Sequence, residues 1–270
     1  MNNKERRQFG SLEMKAIAYL QLRGTKTLST GDLKDVLGIA EQTDKDLLSS
    51  LNKKGIITRL KAGYYLIPNK LSPTSNVIID GMEIVVNLMK YYDAKYMISG
   101  PTAIYYYGYT TQISNRIYVY NDKIYGDKQI GGSSFVFMKT STKRLKGAEF
   151  VVTKKGIKIP YVSKARLLID CIYDWNRYNT IPKVFNWIRD EIEKDQEITA
   201  KLVSNAIRYG NKIVQRRLGY FLETLNIDEK LVEKLQNKIR SSKTLKPLIP
   251  NTDLKGSVNK KWGLIINGKI

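Results

Sequence analysis

The chain contains no histidine, and this absence removes more chemistry than any other feature of its composition. No Ser-His-Asp or Cys-His machinery can be assembled, and no imidazole can serve as general base or metal ligand. There is one cysteine, Cys171, so no internal disulfide can form. With no histidine beside it, a structural zinc site of the Cys/His type is excluded as well. Flanked by apolar residues, the lone thiol reads as a small core residue. An enzyme built from this chain would have to work with carboxylates, lysines or tyrosines, and neither a metal nor a cofactor is expected. No stretch approaches the roughly 20 uninterrupted apolar residues of a membrane span. The opening "MNNKERRQFG" is charged but has no apolar run behind it. No signal peptide is therefore expected, and the expectation is a cytoplasmic protein without membrane association. No internal repeat of solenoid length is present.

Acidic residues are also in short supply. There are 25 against 46 lysines and arginines, leaving a net charge of +21. The excess is not confined to a tail: residues 1–70 carry +6, residues 71–160 carry +6 and residues 161–270 carry +9. Such a balance favours a polyanionic partner, usually nucleic acid, through contacts that ignore base sequence. The plainer alternative is a lysine-rich surface that serves solubility.

Along the chain, "SLEMKAIAYLQLRG" places Leu12, Ala16, Tyr19 and Leu20 on one helical face and stops at Gly24. "TLSTGDLKDVLG" predicts a short helix with Ser29 or Thr30 as N-cap, apolar positions Leu33, Val36 and Leu37, and an end at Gly38. "AEQTDKDLLSSLNKKG" predicts a third helix: Leu47, Leu48 and Leu51 point inward, Gln42, Lys45, Ser49 and Lys53 outward. "GIITRLKAGYYLIP" then reads as a hairpin, with strands 56–60 and 64–67 around a tip at 61–63. Three short helices followed by a two-stranded wing is the pattern of a winged helix-turn-helix. In that arrangement the outward residues of the third helix enter the major groove and the wing lies beside the phosphates. Arg59 and Lys61 then sit where phosphate contacts are needed. The two tyrosines alternate between a core face and a face toward the sugar-phosphate, which makes Tyr64 a further candidate. The plainer alternative is a three-helix domain with an ordinary solvated hairpin.

"NKLSPTSN", residues 69–76, reads as a linker. A second domain, 77–270, is predicted as a mixed sheet over 77–162, helices over 163–250 and a closing strand near 262–267. The fold class is therefore α+β: a winged helix-turn-helix over 1–70, then a larger mixed α/β domain with a helical C-terminal half. "ISGPTAIYYYG" is a strand, a glycine turn and a helix start, similar to the turn that opens nucleotidyltransferase domains. Those enzymes hold magnesium with two carboxylates on the next strand. Here that strand, "RIYVYNDK", has only Asp122 at its end, so two-metal phosphoryl transfer has no ligand pair. "GGSS" lacks the lysine and spacing of a P-loop. The acidic run "RDEIEKDQE" reads as a solvated helix end. Arg216 and Arg217 in "QRRLGYFLETL" read as a surface pair, either solvated or holding phosphate or an acidic protein.

The order of "AGYYLIP", "MISGPTAIYYYGYTTQISNRIYVY", "KARLLIDCIYDW", "RRLGYFLETL" and "LKPLIPNTDLKGSVNKKWGLIIN" resembles the AbiEi family over nearly the whole chain. These are the antitoxins and transcriptional regulators of type IV toxin–antitoxin, or abortive infection, systems. The resemblance implies a winged domain that binds an inverted-repeat operator in duplex DNA, with two molecules per operator, and represses its own promoter. It implies a C-terminal domain that counteracts a cognate AbiEii-type toxin, a nucleotidyltransferase-like protein; the missing carboxylate pair leads us to expect no catalytic activity in this chain. Carried onto this chain, Gln42, Lys45 and Ser49 would read bases, and Lys53, Arg59 and Lys61 would hold phosphates. Arg116, Arg166, Arg216 and Arg217 are candidates for DNA or toxin contact in the large domain. Asp44 and Asp46 count against the third helix, because they repel phosphate unless they read cytosine or pair with a lysine. A divergent nucleotidyltransferase, a ligand-sensing regulator and a pure protein-interaction module are the rival readings.

Overall fold

The computed structural model describes residues 8–69, 79–239 and 244–270. Helix α1, Ser11–Arg23, ends at Gly24 with φ 61°, a left-handed cap that glycine adopts without steric cost. A strand follows, β1, Thr27–Ser29. Three residues are too few to show alternation, and the sequence reading missed it. The second helix, α2, is a single turn, Lys34–Leu37. The expected caps lie elsewhere: Ser29 belongs to β1, and its N–H donates to Asp32 at 2.6 Å. Helix α3, Glu41–Lys53, buries Leu47, Leu48 and Leu51. Strands β2, Thr58–Lys61, and β3, Tyr64–Leu66, make the hairpin. Because β1 pairs antiparallel with β3, the sheet has three strands, in the order β1-β3-β2.

Beyond Asn69, the expected linker and the domain start at Val77 fall within 70–78, outside the described residues. Helix α4, Gly81–Tyr91, is capped by Asp80, whose carboxylate accepts the Met82 N–H at 2.8 Å. Then come β4 Tyr96–Ile98, α5 Gly100–Tyr106, β5 Arg116–Asn121, β6 Gly126–Ile130, β7 Ser133–Lys139, β8 Ala148–Val152 and β9 Lys158–Val162. They form one six-stranded sheet in the order β6-β7-β5-β4-β9-β8. It is mixed: β5 runs parallel to β7 and β4 to β9, while the neighbouring pairs are antiparallel.

The helical half comprises α6 Lys164–Tyr173, α7 Trp175–Tyr178, α8 Lys183–Lys194, α9 Ile198–Tyr209, α10 Lys212–Thr224 and α11 Glu229–Ile239. Every residue of α6 from Ala165 to Ile172 is buried, Cys171 included. A surface helix shows one apolar stripe; α6 has neighbours on all sides, which is why it is closed round by the other helices and the sheet. The closing strand is β12, Leu264–Ile266, but it is not alone. With β10 Lys246–Pro247 and β11 Ser257–Asn259 it makes a small sheet, β10-β12-β11. Trp262 fastens that sheet: it is fully buried against α10, where an added Cβ on Gly219 would lie 2.1 Å from its ring. The described residues thus form a mixed α+β protein.

There are two buried apolar clusters, and the hairpin belongs to both. Tyr65 and Ile67 pack with Ala16, Leu20 and Leu48 in the N-terminal cluster. Leu60, Tyr64 and Leu66 pack with Ile84, Leu88 and Ile130 in the large one. Strand alternation sends neighbouring residues to opposite faces, and here both faces are covered. The hairpin therefore does not project freely from a separate domain. It lies between α1–α3 on one side and α4 with the β6–β7 turn on the other.

Candidate nucleic-acid interface

The site begins with α3. Gln42, Lys45 and Lys53 are exposed on its outer side, and Ser49 is half-buried. Lys45 pairs with Glu41 at 2.7 Å, and Gln42 donates to Asp46 at 3.1 Å. Contacts of this i,i+4 kind contribute only a few tenths of a kcal/mol, so these side chains can exchange them for a base edge or a phosphate. The Glu41 hydrogen bond raises the pKa of Lys45. Asp44 points the other way. It is fully buried, on the side of Leu47, Leu48 and Leu51, and accepts the Gly31 N–H at 2.7 Å. Its charge locks the loop before α2 onto α3 and leaves the outer face.

Behind that face, Glu13 of α1 ties the helices together. Its carboxylate accepts from Lys54 at 2.6 Å, from Ser50 at 2.6 Å and from the Gly10 N–H at 2.9 Å. Burial alone would push this carboxyl up, but those donors outweigh it and hold its pKa below the usual value.

The hairpin departs from expectation. Arg59 is exposed, its own N–H anchored on Asn52 at 2.8 Å. Lys61 instead donates to the Tyr91 hydroxyl at 2.8 Å and lies 4.2 Å from the centre of that ring. Tyr64 is buried, its ring 4.4 Å from the Tyr91 ring. Tyr64 cannot reach a phosphate, because it packs into the large core. Arg59 and Lys61 instead line a groove of about 350 Å³ between the hairpin and the large unit, together with Tyr92 and Lys128. Lys128 was missed in the sequence because nothing local to β6 marks it; only the docking of the hairpin brings it there.

Of the four arginines proposed in the large domain, three are corrections. Arg166 is fully buried, bonded to Asp170 at 2.9 Å, with its guanidinium 3.8 Å from the Tyr209 ring centre. Arg216 donates to the carbonyl of Thr244 at 2.6 Å, and Arg217 to that of Pro247 at 3.0 Å. Burial pulls the Arg217 pKa down to about 10. A helix read in isolation leaves these two on its polar side; the C-terminal sheet covers that side and supplies carbonyls to hold them. Arg116 remains exposed, paired with Asp127 at 2.7 Å. The acidic run is not all solvated either, since Glu191 is buried and accepts from Lys164 at 2.9 Å. At the "SGPTA" turn, Gly100 has φ 54°, and an added Cβ would meet the Tyr178 ring at 2.8 Å. The turn is packed shut rather than open to a phosphate, and Asp122 is occupied with the Lys95 N–H at 3.0 Å.

Among the described residues no helix is long and apolar enough to cross a membrane. No family model matches the chain, and no curated protein matches it. Its fold is similar to that of the RV2827C protein from Mycobacterium tuberculosis. That crystal structure matches 97% of this chain and 93% of its own with a TM-score of 0.60, at 12% sequence identity. At such identity the likeness concerns the fold alone.

Proposed function

We propose that this chain is a DNA-binding transcriptional autorepressor and the antitoxin of a type IV system, with no catalytic role of its own. Its N-terminal unit is read as a winged helix-turn-helix. The order helix, strand, helix, helix, hairpin supports this, as does the net charge of +21. The observation that carries it is the orientation of Asp44. With that carboxylate turned onto Gly31, the outer face of α3 presents Gln42, Lys45 and Lys53, groups suited to a major groove and its phosphates.

In this mechanism α3 reads base edges and Lys53, Arg59 and Lys128 hold phosphates. Because the hairpin is clamped to α4, the large unit moves with the reading helix, and its Lys128 lies in the same groove as Arg59. Two molecules on an inverted repeat would block the promoter. The antitoxin role rests on the AbiEi resemblance, with an AbiEii-type toxin as the opposing partner.

The test is fluorescence anisotropy on duplexes from the chain's own upstream region, titrated with salt. Gln42→Ala with Lys45→Ala should cost about 1–3 kcal/mol of operator discrimination. Arg59→Ala should weaken all sequences alike and lower the salt slope by about 1. Binding that is absent, or independent of salt, refutes the DNA reading. Co-expression with the neighbouring toxin tests the other half, with rescue of growth as the expected result.

A further inference from the structure

The far face of the six-stranded sheet holds a second site, built from different residues. Alternation along β5 turns Ile117 toward α4, where it meets Gly81, and turns Arg116, Tyr118 and Tyr120 to the opposite side. There, with Val136 and Met138 of β7, they floor a cleft of about 830 Å³. One wall is the junction of α6 and α7, with Tyr173, Asp174 and Arg177; Tyr125 and Lys139 stand on the other margins. A volume of that order suits a small organic ligand.

Three features define what it would take. The first is charge. Arg116, Lys139, Arg144 and Arg177 line the cleft against the carboxylates of Asp127 and Asp174. Arg116 is matched by Asp127 and Arg144 by Asp170. Lys139 and Arg177 are exposed and make no ion pair among the described residues. Two cations are thus available to an anion. The second feature is aromatic surface. Tyr125 is 78% exposed, and Tyr173 is exposed with the Arg144 guanidinium 4.1 Å from its ring centre. An exposed tyrosine beside unpaired cations offers a planar base a stacking surface. The third is an oriented acceptor. The Tyr120 hydroxyl donates to one oxygen of Asp174, and the buried Tyr178 hydroxyl donates to Tyr120 at 3.1 Å. This chain fixes the carboxylate and leaves its second oxygen for an amino or hydroxyl donor.

We propose that this cleft binds a nucleoside phosphate. Lys139 and Arg177 hold the phosphate, the open ring of Tyr125 stacks on the base, and Asp174 accepts from the base amino group or a ribose hydroxyl. A duplex presents a base to a concave site only by flipping it out of the stack, a cost that a free nucleotide or a strand end does not carry. The occupant is therefore a free nucleotide or the phosphorylated end of a single strand. This inference does not rest on operator binding by α3, and either can fail without the other.

Isothermal titration calorimetry on the full chain tests it, using the four ribonucleoside triphosphates, tripolyphosphate and a 5′-phosphorylated trinucleotide. Saturable binding of at least one nucleotide probe is expected. Lys139→Ala with Arg177→Ala should weaken it at least about tenfold, and Tyr125→Ala by about five- to a hundredfold, the range of a lost base stack. Tyr125→Ala should leave tripolyphosphate binding unchanged. All three side chains are exposed, so the variants should melt with the wild type. A trinucleotide that binds more tightly than any triphosphate identifies a strand end; the reverse identifies a soluble nucleotide. No saturable heat with any nucleotide probe up to millimolar concentration, whether or not tripolyphosphate binds, or nucleotide binding unaltered in the double variant, overturns the proposal.

Discussion

Asp170→Asn separates a structural arginine from a contact arginine. Asp170 is fully buried between two guanidiniums: Arg166 reaches one oxygen at 2.9 Å and Arg144 the other at 2.9 Å. Asparagine keeps the shape but loses the charge, and Arg166, itself fully buried, is left without a counterion. Stranding one partner of a buried pair typically costs about 3–5 kcal/mol. In a protein of this size each kcal/mol lowers Tm by about 2–4 °C, so a fall of about 6–20 °C is expected. Thermal melting followed by circular dichroism measures it. The double variant Arg166→Met with Asp170→Leu should lose less than Asp170→Asn, because the one cation it leaves without a carboxylate, Arg144, is partly exposed and keeps its bond to the Tyr209 carbonyl. Two results refute the reasoning: a Tm for Asp170→Asn within about 2 °C of wild type, or an Arg166→Met protein that melts normally yet loses DNA or toxin.

Glu13→Gln removes the carboxylate that joins α1 to α3, at a cost of about 2 kcal/mol at neutral pH. Since the folded-state pKa of Glu13 lies below its ordinary 4.5, this contribution is present above about pH 4.5 and disappears as pH falls through the folded value. The gap between the melting curves of the two proteins should narrow as the pH falls below about 4.5; a gap that is the same at every pH contradicts the assignment. Gly219→Ala places a methyl group inside the Trp262 ring and should cost at least about 1–3 kcal/mol, with tryptophan emission moving to longer wavelength as the C-terminal sheet loosens. Tyr64→Ala should cost about 3–5 kcal/mol, whereas the exposed Arg59→Ala should leave Tm almost unchanged. Equal Tm values for these two variants would mean that the hairpin is not clamped.

Helices with one strongly periodic face were legible. α1 and α3 lie where their apolar spacing puts them, α6 to α11 fall within the stretch expected to be helical, and Gly24 and Gly38 close helices as expected. The outer positions of α3 were legible for the same reason: Leu47, Leu48 and Leu51 define an inside, and Gln42 and Lys45 are what remains. β1, β10 and β11 were not, because TLS, KP and SVN lack the aromatic or aliphatic run that marked the equally short β3 and β12. Arg216 and Arg217 were misread because their partners are backbone carbonyls of Thr244, Gly263 and Pro247, which no side-chain pattern records. The cleft residues come from β5, β6, β7 and the α6–α7 junction, with no motif to join them.

From sequence alone come the excess of positive charge, the lack of histidine chemistry and the amphipathic helices, each a property of composition or of neighbours a few residues apart. The tertiary structure decides which charges remain at the surface. A cation's role depends on whether a carboxylate, a carbonyl or water surrounds it, and those partners are set by chain segments far apart in sequence. Arg59 and Lys61, two residues apart at the hairpin, show this most plainly: one reaches solvent, and the other rests on Tyr91.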